Sequence, residues 1–234
     1  MTLFSHDGIY MLLRFFHLLA GVTWIGLLYY FNFVQGAFFG ETDAATKSNA
    51  TQKLVPRALW WFRWAAMVTF LSGWAYLLMR GAELGGAFMG SSWGVLILMG
   101  ALMGSFMWFN VWFVIWPNQK IVIQSATQAA SGGKPLENAA ACGARALVAS
   151  RTNTMFSIPM LFFMGSASHL AIPISDSSNL KGIFGVFTII LAALEFNALK
   201  GKTGPMTTIK GVITCGFVLA AVLYVMIEIF AQMA

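Results

Sequence analysis

Apolar residues run along this chain in long blocks, and the polar positions collect between them. A helix needs about 20 predominantly apolar residues to cross the hydrocarbon core of a bilayer. Six segments approach that length: residues 9–34, 58–79, 93–116, 154–172, 183–199 and 209–231. A spanning segment must satisfy its own backbone hydrogen bonds, so each block reads as a helix. The pattern predicts an all-α fold, a polytopic membrane helical bundle of about six transmembrane helices. No long polar linker divides the chain, so residues 1–234 read as a single integral membrane domain.

The polar stretches set the connections. Residues 35–57 and 117–151 are the long ones, and those near 80–92, 173–182 and 200–208 are short. Ser131-Gly132-Gly133-Lys134-Pro135 is a turn cluster, and the alanine-rich stretch 136–150 predicts a short helix leading into the fourth span. The first apolar run lacks a basic stretch before it and is too long for a signal sequence, so it reads as a retained span. With six alternating spans, Lys47, Lys53, Arg57, Lys120, Lys134, Arg145, Arg151, Lys200, Lys202 and Lys210 fall on one side, and Arg80 and Lys181 on the other. Cytoplasmic loops carry the excess of Lys and Arg, which places both termini on the periplasmic side of a bacterial inner membrane.

Composition sharpens the class. The chain is 59% hydrophobic and only 9% charged, which excludes an ordinary soluble domain. Its net charge of +6 belongs to the loops. Without a basic patch or a nucleic-acid motif, the expected partner surface is membrane lipid and not nucleic acid. Cys142, in a connection, and Cys215, in an apolar block, are far apart, so no disulfide is expected. Neither belongs to a Cys-x-x-Cys-His motif, so no c-type haem is attached. The 14 methionines are scattered and read as packing residues.

Candidate chemistry begins in the first span. A histidine inside a membrane is costly to leave unpaired and marks a site by default. His17, Gly21 and Trp24 recur at i, i+4 and i+7 and share one helix face. Gly21 leaves a gap one turn below the imidazole where a flat porphyrin could lie. The alternative is a histidine bonded to a neighbouring helix, with glycines serving packing. His17 sits roughly 10 Å below the outer boundary at 1.5 Å per residue. His169 ends the fourth span near the same boundary, with Gly165 one turn deeper. The matched depths and glycines predict a b-type haem held edge-on between His17 and His169, both bound to the haem iron. Arg14, one turn outward of His17, pairs with the haem propionates or snorkels to the headgroups. His6 lies outside the membrane and reads as a surface residue. Arg63 snorkels at the inner face or pairs with Glu195. Asn110, Asn118 and Asn153 are expected to bond between helices, and Glu228 to be an interfacial carboxylate.

Several stretches resemble the membrane domain of PuuD-type urate hydroxylases, the urate oxidase N-terminal family. They are His17 to Gln35, Trp61-Phe62-Arg63-Trp64 followed by Leu71-Ser72-Gly73, Asn110 to Gln119, Ser150-Arg151-Thr152-Asn153, Pro159 to Phe162 and Ser168-His169. The His-to-Trp-to-Gly pattern of the first span bears a more distant likeness to HemJ-type membrane haem proteins. The resemblance implies urate oxidation coupled to a c-type cytochrome on the periplasmic side. Two departures stand out. The sequence ends at Ala234 without a cytochrome c domain, and Arg63-Trp64 is followed by Ala65-Ala66 where the family carries a glutamate. Two functions follow as expectations. One is a membrane b-type haem oxidoreductase that oxidises urate or a related small reductant and passes electrons to a separate cytochrome c. The other is a non-catalytic electron-relay or anchoring subunit among other respiratory membrane subunits. No inverted repeat or discontinuous helix pair favours a transporter.

Overall fold

The computed structural model describes residues 2–172 and 179–232, and these are helical with no strand among them. α1 runs from His6 to Glu41, α2 from Ala44 to Lys53 and α3 from Val55 to Leu84. A short helical turn, Gly86–Gly90, leads to α4, Ser92–Ala130. α5 spans Ala139–His169, α6 Asn179–Lys200 and α7 Ile209–Gln232. The short connection expected over 173–182 falls mostly outside the described residues.

Helix starts follow ordinary capping chemistry. Ser5 accepts from the Gly8 N–H at 3.3 Å and Ser91 from the Gly94 N–H at 2.9 Å. Asp43 accepts from the Ala45 and Thr46 N–H groups at 2.8 and 2.9 Å, and with the Thr46 hydroxyl these bonds hold its carboxyl below the usual range. Gly132, at φ 83°, turns the chain between α4 and α5, inside the expected turn cluster.

The long connections are mostly helix. α1 continues past residue 34 to Glu41, and α4 runs through Pro117 to Ala130. Proline lacks an N–H and its ring clashes with the carbonyl four residues back, which disfavours a continuous helix through Pro117. Here a π-helical segment, Asn110–Ile115, precedes it, and the wider turn accommodates the ring. α1 has a matching π segment at Tyr30–Gln35. The alanine-rich stretch before the fourth span is not a separate helix but the first turns of α5.

Among the described residues, four helical stretches are long and apolar enough to cross a membrane: His6–Glu41, Ser92–Ala130, Gly182–Lys200 and Ile209–Phe230. α3 and α5 have the length, at 30 and 31 residues, but carry more polar side chains. In α5 the reason is position. Arg151, Thr152, Asn153, Thr154, Ser157 and Ser166 are all buried among neighbouring helices, so their polarity does not meet lipid.

Contacts define how the helices alternate. Tyr10 of α1 meets Tyr76 of α3, and Ser92 of α4 accepts from the Ile172 N–H at 2.9 Å just beyond α5. These pairs place residues 6, 84, 92 and 172 at one end. The turns at 42–54 and 131–138 lie at the opposite end, where most of the Lys and Arg residues gather. Close packing comes from small residues. A Cβ on Gly100 would lie 2.7 Å from Met164 Cγ and 3.4 Å from the Met160 carbonyl, so Gly100 and Gly104 let α4 and α5 touch backbone to side chain. Gly216 does the same for α7. It faces the Met155 carbonyl, which Pro159 leaves without its helical donor.

Candidate functional site

His17 points at α3. Its Nδ1 donates to the Thr69 carbonyl at 2.8 Å, which leaves the ring's lone pair on Nε2. Gly73, one turn further along α3, makes the slot for the ring: a Cβ there would stand 2.8 Å from both Cε1 and Nδ1 of His17. Metal-bound histidines hold their other ring N–H on a carbonyl or carboxylate, which fixes tautomer and ring plane. His17 has that arrangement before any ligand is considered. Gly21 faces α3 as well, with Thr69 Cγ2 at 3.8 Å from its Cβ position, an ordinary contact distance. Trp24, 2% exposed, belongs to the core.

His169 lies on the exposed surface at the end of α5, and nothing stands within 4 Å of a Cβ on Gly165. Tyr29 of α1 bonds Ser157 of α5 at 2.9 Å, and twelve residues outward on each antiparallel helix are His17 and His169. The polar bonds between α1 and α5 lie in the inner half, at Tyr29–Ser157 and Asn32–Ser150. Further out, Leu18 and Val22 on α1 and Leu161 and Phe162 on α5 are exposed. His17 thus has one ring nitrogen anchored on α3, and His169 stands on the exposed surface. Arg14 is exposed, its guanidinium 5.6 Å from the Tyr76 ring centroid. His6 pairs with Glu83, which also takes Arg80 at 2.9 Å, so this surface histidine closes α1 onto α3.

A second polar group sits in the inner half of the bundle. Asn110 Nδ2 donates to Asn153 Oδ1 at 2.9 Å and to Glu195 Oε2 at 3.0 Å, and Asn153 Nδ2 donates to the Met107 carbonyl at 2.9 Å. Asn110 and Asn153 are fully buried, and Glu195 is 5% exposed. Asn110 opens the π segment of α4, and Asn32, in the π segment of α1, reaches Ser150 Oγ at 2.8 Å. Each widened turn thus presents an asparagine to α5. Asn118 bonds only the Val114 carbonyl of its own helix, not a neighbour. Arg63 does not meet Glu195. Its guanidinium stacks 4.1 Å from the Trp116 ring and 5.0 Å from the Trp112 ring, both half-buried on α4.

Thr69, Gly73 and the Asn110–Asn153–Glu195 group are absent from the sequence-based site. The Leu71-Ser72-Gly73 motif and the expected bonding of Asn110 and Asn153 between helices, which the structure shows, are the marks of them that the sequence carries.

A family model described as urate oxidase N-terminal matches residues 81–227. Neither a curated protein nor a solved structure matches the chain. The matched stretch holds α4, α5, α6 and most of α7, and with them His169 and the Asn110–Asn153–Glu195 group.

Proposed function

Because the chain belongs to the urate oxidase N-terminal family, we propose that it is a membrane haem b protein of the urate hydroxylase type. It oxidises urate or a related small reductant and passes electrons to a c-type cytochrome in the periplasm. Six helices span the bacterial inner membrane, α3 and α5 included, with both termini outside.

The observation that carries this reading is the 2.8 Å bond from His17 Nδ1 to the Thr69 carbonyl. It presents Nε2 as a fixed ligand in a slot cut by Gly73. His17 and His169 would hold the iron, and Gly165, with nothing within 4 Å of a Cβ there, leaves room one turn below His169. Arg14 lies on the outward side, where a propionate carboxylate would find a cation. When bound, the haem supplies one-electron chemistry between the reductant and the cytochrome. α3 restrains the imidazole, and Trp24 and the packed core beneath exclude water from the inward side.

The test is spectroscopic and then kinetic. Protein expressed with ample haem should show a low-spin Soret band, abolished or grossly altered in His17→Ala and His169→Ala but not in His6→Ala. Urate should then drive sustained, His17-dependent reduction of added cytochrome c. Lack of a Soret band in the wild type sinks the haem reading. A haem-loaded protein that leaves cytochrome c oxidised in urate is a relay or anchoring subunit instead.

A further inference from the structure

Glu195 stands where a charge finds no company. It is 5% exposed, and Phe70 of α3, Leu102, Phe106 and Phe109 of α4 and Leu199 of α6 lie beside it. Among the described residues no Lys, Arg or His forms an ion pair with it. Arg63 of α3 stacks on Trp116 and Trp112 instead. Arg151 of α5 is two residues from Asn153, about 200° around the helix, and so faces away from the Asn153 side. Lys200 is exposed at the end of α6. An isolated ionised carboxylate in an apolar setting is costly enough that the group takes up a proton and becomes neutral.

The hydrogen bonds point the same way. Asn110 Nδ2 gives its two hydrogens to Asn153 Oδ1 at 2.9 Å and to Glu195 Oε2 at 3.0 Å, and Asn153 Nδ2 donates to the Met107 carbonyl at 2.9 Å. This chain of bonds fixes which end of each amide faces which neighbour. Two atoms are left over, Glu195 Oε1 and Asn110 Oδ1, both buried and without a partner among the described residues. With Glu195 ionised, both are acceptors and neither can satisfy the other. They belong to the two groups already joined by the 3.0 Å bond. One proton on Oε1 changes the count: Oε1 becomes a donor, Asn110 Oδ1 becomes its acceptor, and both atoms are paired.

We propose that Glu195 is a proton-binding site, a neutral carboxylic acid at neutral pH that accepts from Asn110 Nδ2 and donates from Oε1 to Asn110 Oδ1. The acid–amide pair ties α6 to α4, and through Asn153 to α5, without placing a net charge in the bundle. The site is separate from His17 and His169 and rests on neither the haem nor the urate reading. The test is infrared spectroscopy of the purified protein in detergent at neutral pH, with the melting temperature as a second readout. The wild type should show the carbonyl stretch of a protonated carboxylic acid, and Glu195→Gln should lose that band. Glutamine carries an N–H where the acid has its O–H, so Glu195→Gln should melt at the wild-type temperature. A difference spectrum in which Glu195→Gln loses carboxylate bands and not the acid band overturns the proposal. So does a lower melting temperature in Glu195→Gln, which would mean that a charge is needed here. A wild-type melting temperature that rises with sodium at constant ionic strength also overturns it, because a metal ion and not a proton would then meet the two oxygens. If Glu195→Gln cannot be purified, a wild-type spectrum without an acid band overturns it alone. Lack of a Soret band or of urate turnover leaves these outcomes unaffected.

Discussion

Gly73 and Gly21 both face the α1–α3 contact, yet they differ in how much room they leave. A methyl on Gly73 would press into the imidazole at 2.8 Å, whereas one on Gly21 would rest against Thr69 at 3.8 Å. Gly73→Ala must therefore displace His17 or part the helices, at a cost of about 1–3 kcal/mol. Its haem spectrum should be lost or shifted and its melting temperature lowered, while Gly21→Ala should match the wild type in both. Equal behaviour of the two variants would mean that the His17 slot is not what holds the ring. Arg14 gives a second expectation. A cation near the iron disfavours the oxidised haem, so Arg14→Gln should lower the midpoint potential without loss of haem. An unchanged midpoint in a redox titration would leave Arg14 with its contact to Tyr76 alone.

α5 is the helix on which α1, α4 and α7 pack. It takes Asn32 and Tyr29 from α1, Asn110 and the Gly100 face from α4, and Gly216 from α7. This explains how a helix too polar to rank with the four apolar ones can sit inside the bundle. Hydrogen bonds between membrane helices are worth about 0.6 kcal/mol each on average, with a maximum near 1.7. Asn153→Ala removes bonds to both Asn110 and the Met107 carbonyl, so a loss of about 1–2 kcal/mol is expected. Asn118→Ala removes one bond within its own helix and should cost less. Unfolding of both variants in detergent, followed by circular dichroism, ranks them. A larger loss at Asn118 would contradict the central place of α5.

The whole chain has a charged end and an end with few cations. The turns at 42–54 and 131–138 share the basic end, and the N-terminus lies opposite, beside the end of α3. The positive-inside rule then gives a prediction for the full protein. A reporter active only in the periplasm should work when fused after Ala234 and be silent near Lys134. The reverse pattern would turn the bundle over and place His17 and His169 near the cytoplasm.

Sequence alone determined the helical class, the turn at Gly132 and the gathering of Lys and Arg in the long connections. Each follows from hydrophobic blocks, glycine chemistry and counts of Lys and Arg, which are properties of neighbouring residues. It also singled out His17, because an imidazole in an apolar run carries its own signal. The helical continuation through Pro117 was hidden, since a π turn depends on what the widened segment packs against. The partner of His17 was hidden for a stronger reason. Thr69 acts through its backbone carbonyl and Gly73 through a missing side chain, 52 residues and more away, so neither bears a mark that apolar periodicity could read. The bonding of Asn110 and Asn153 between helices was legible in the sequence, and the two side chains bond each other. Only the packing of α4 against α6 decided that Asn110 also meets Glu195, because helices far apart in sequence must converge before a buried carboxylate finds its donor.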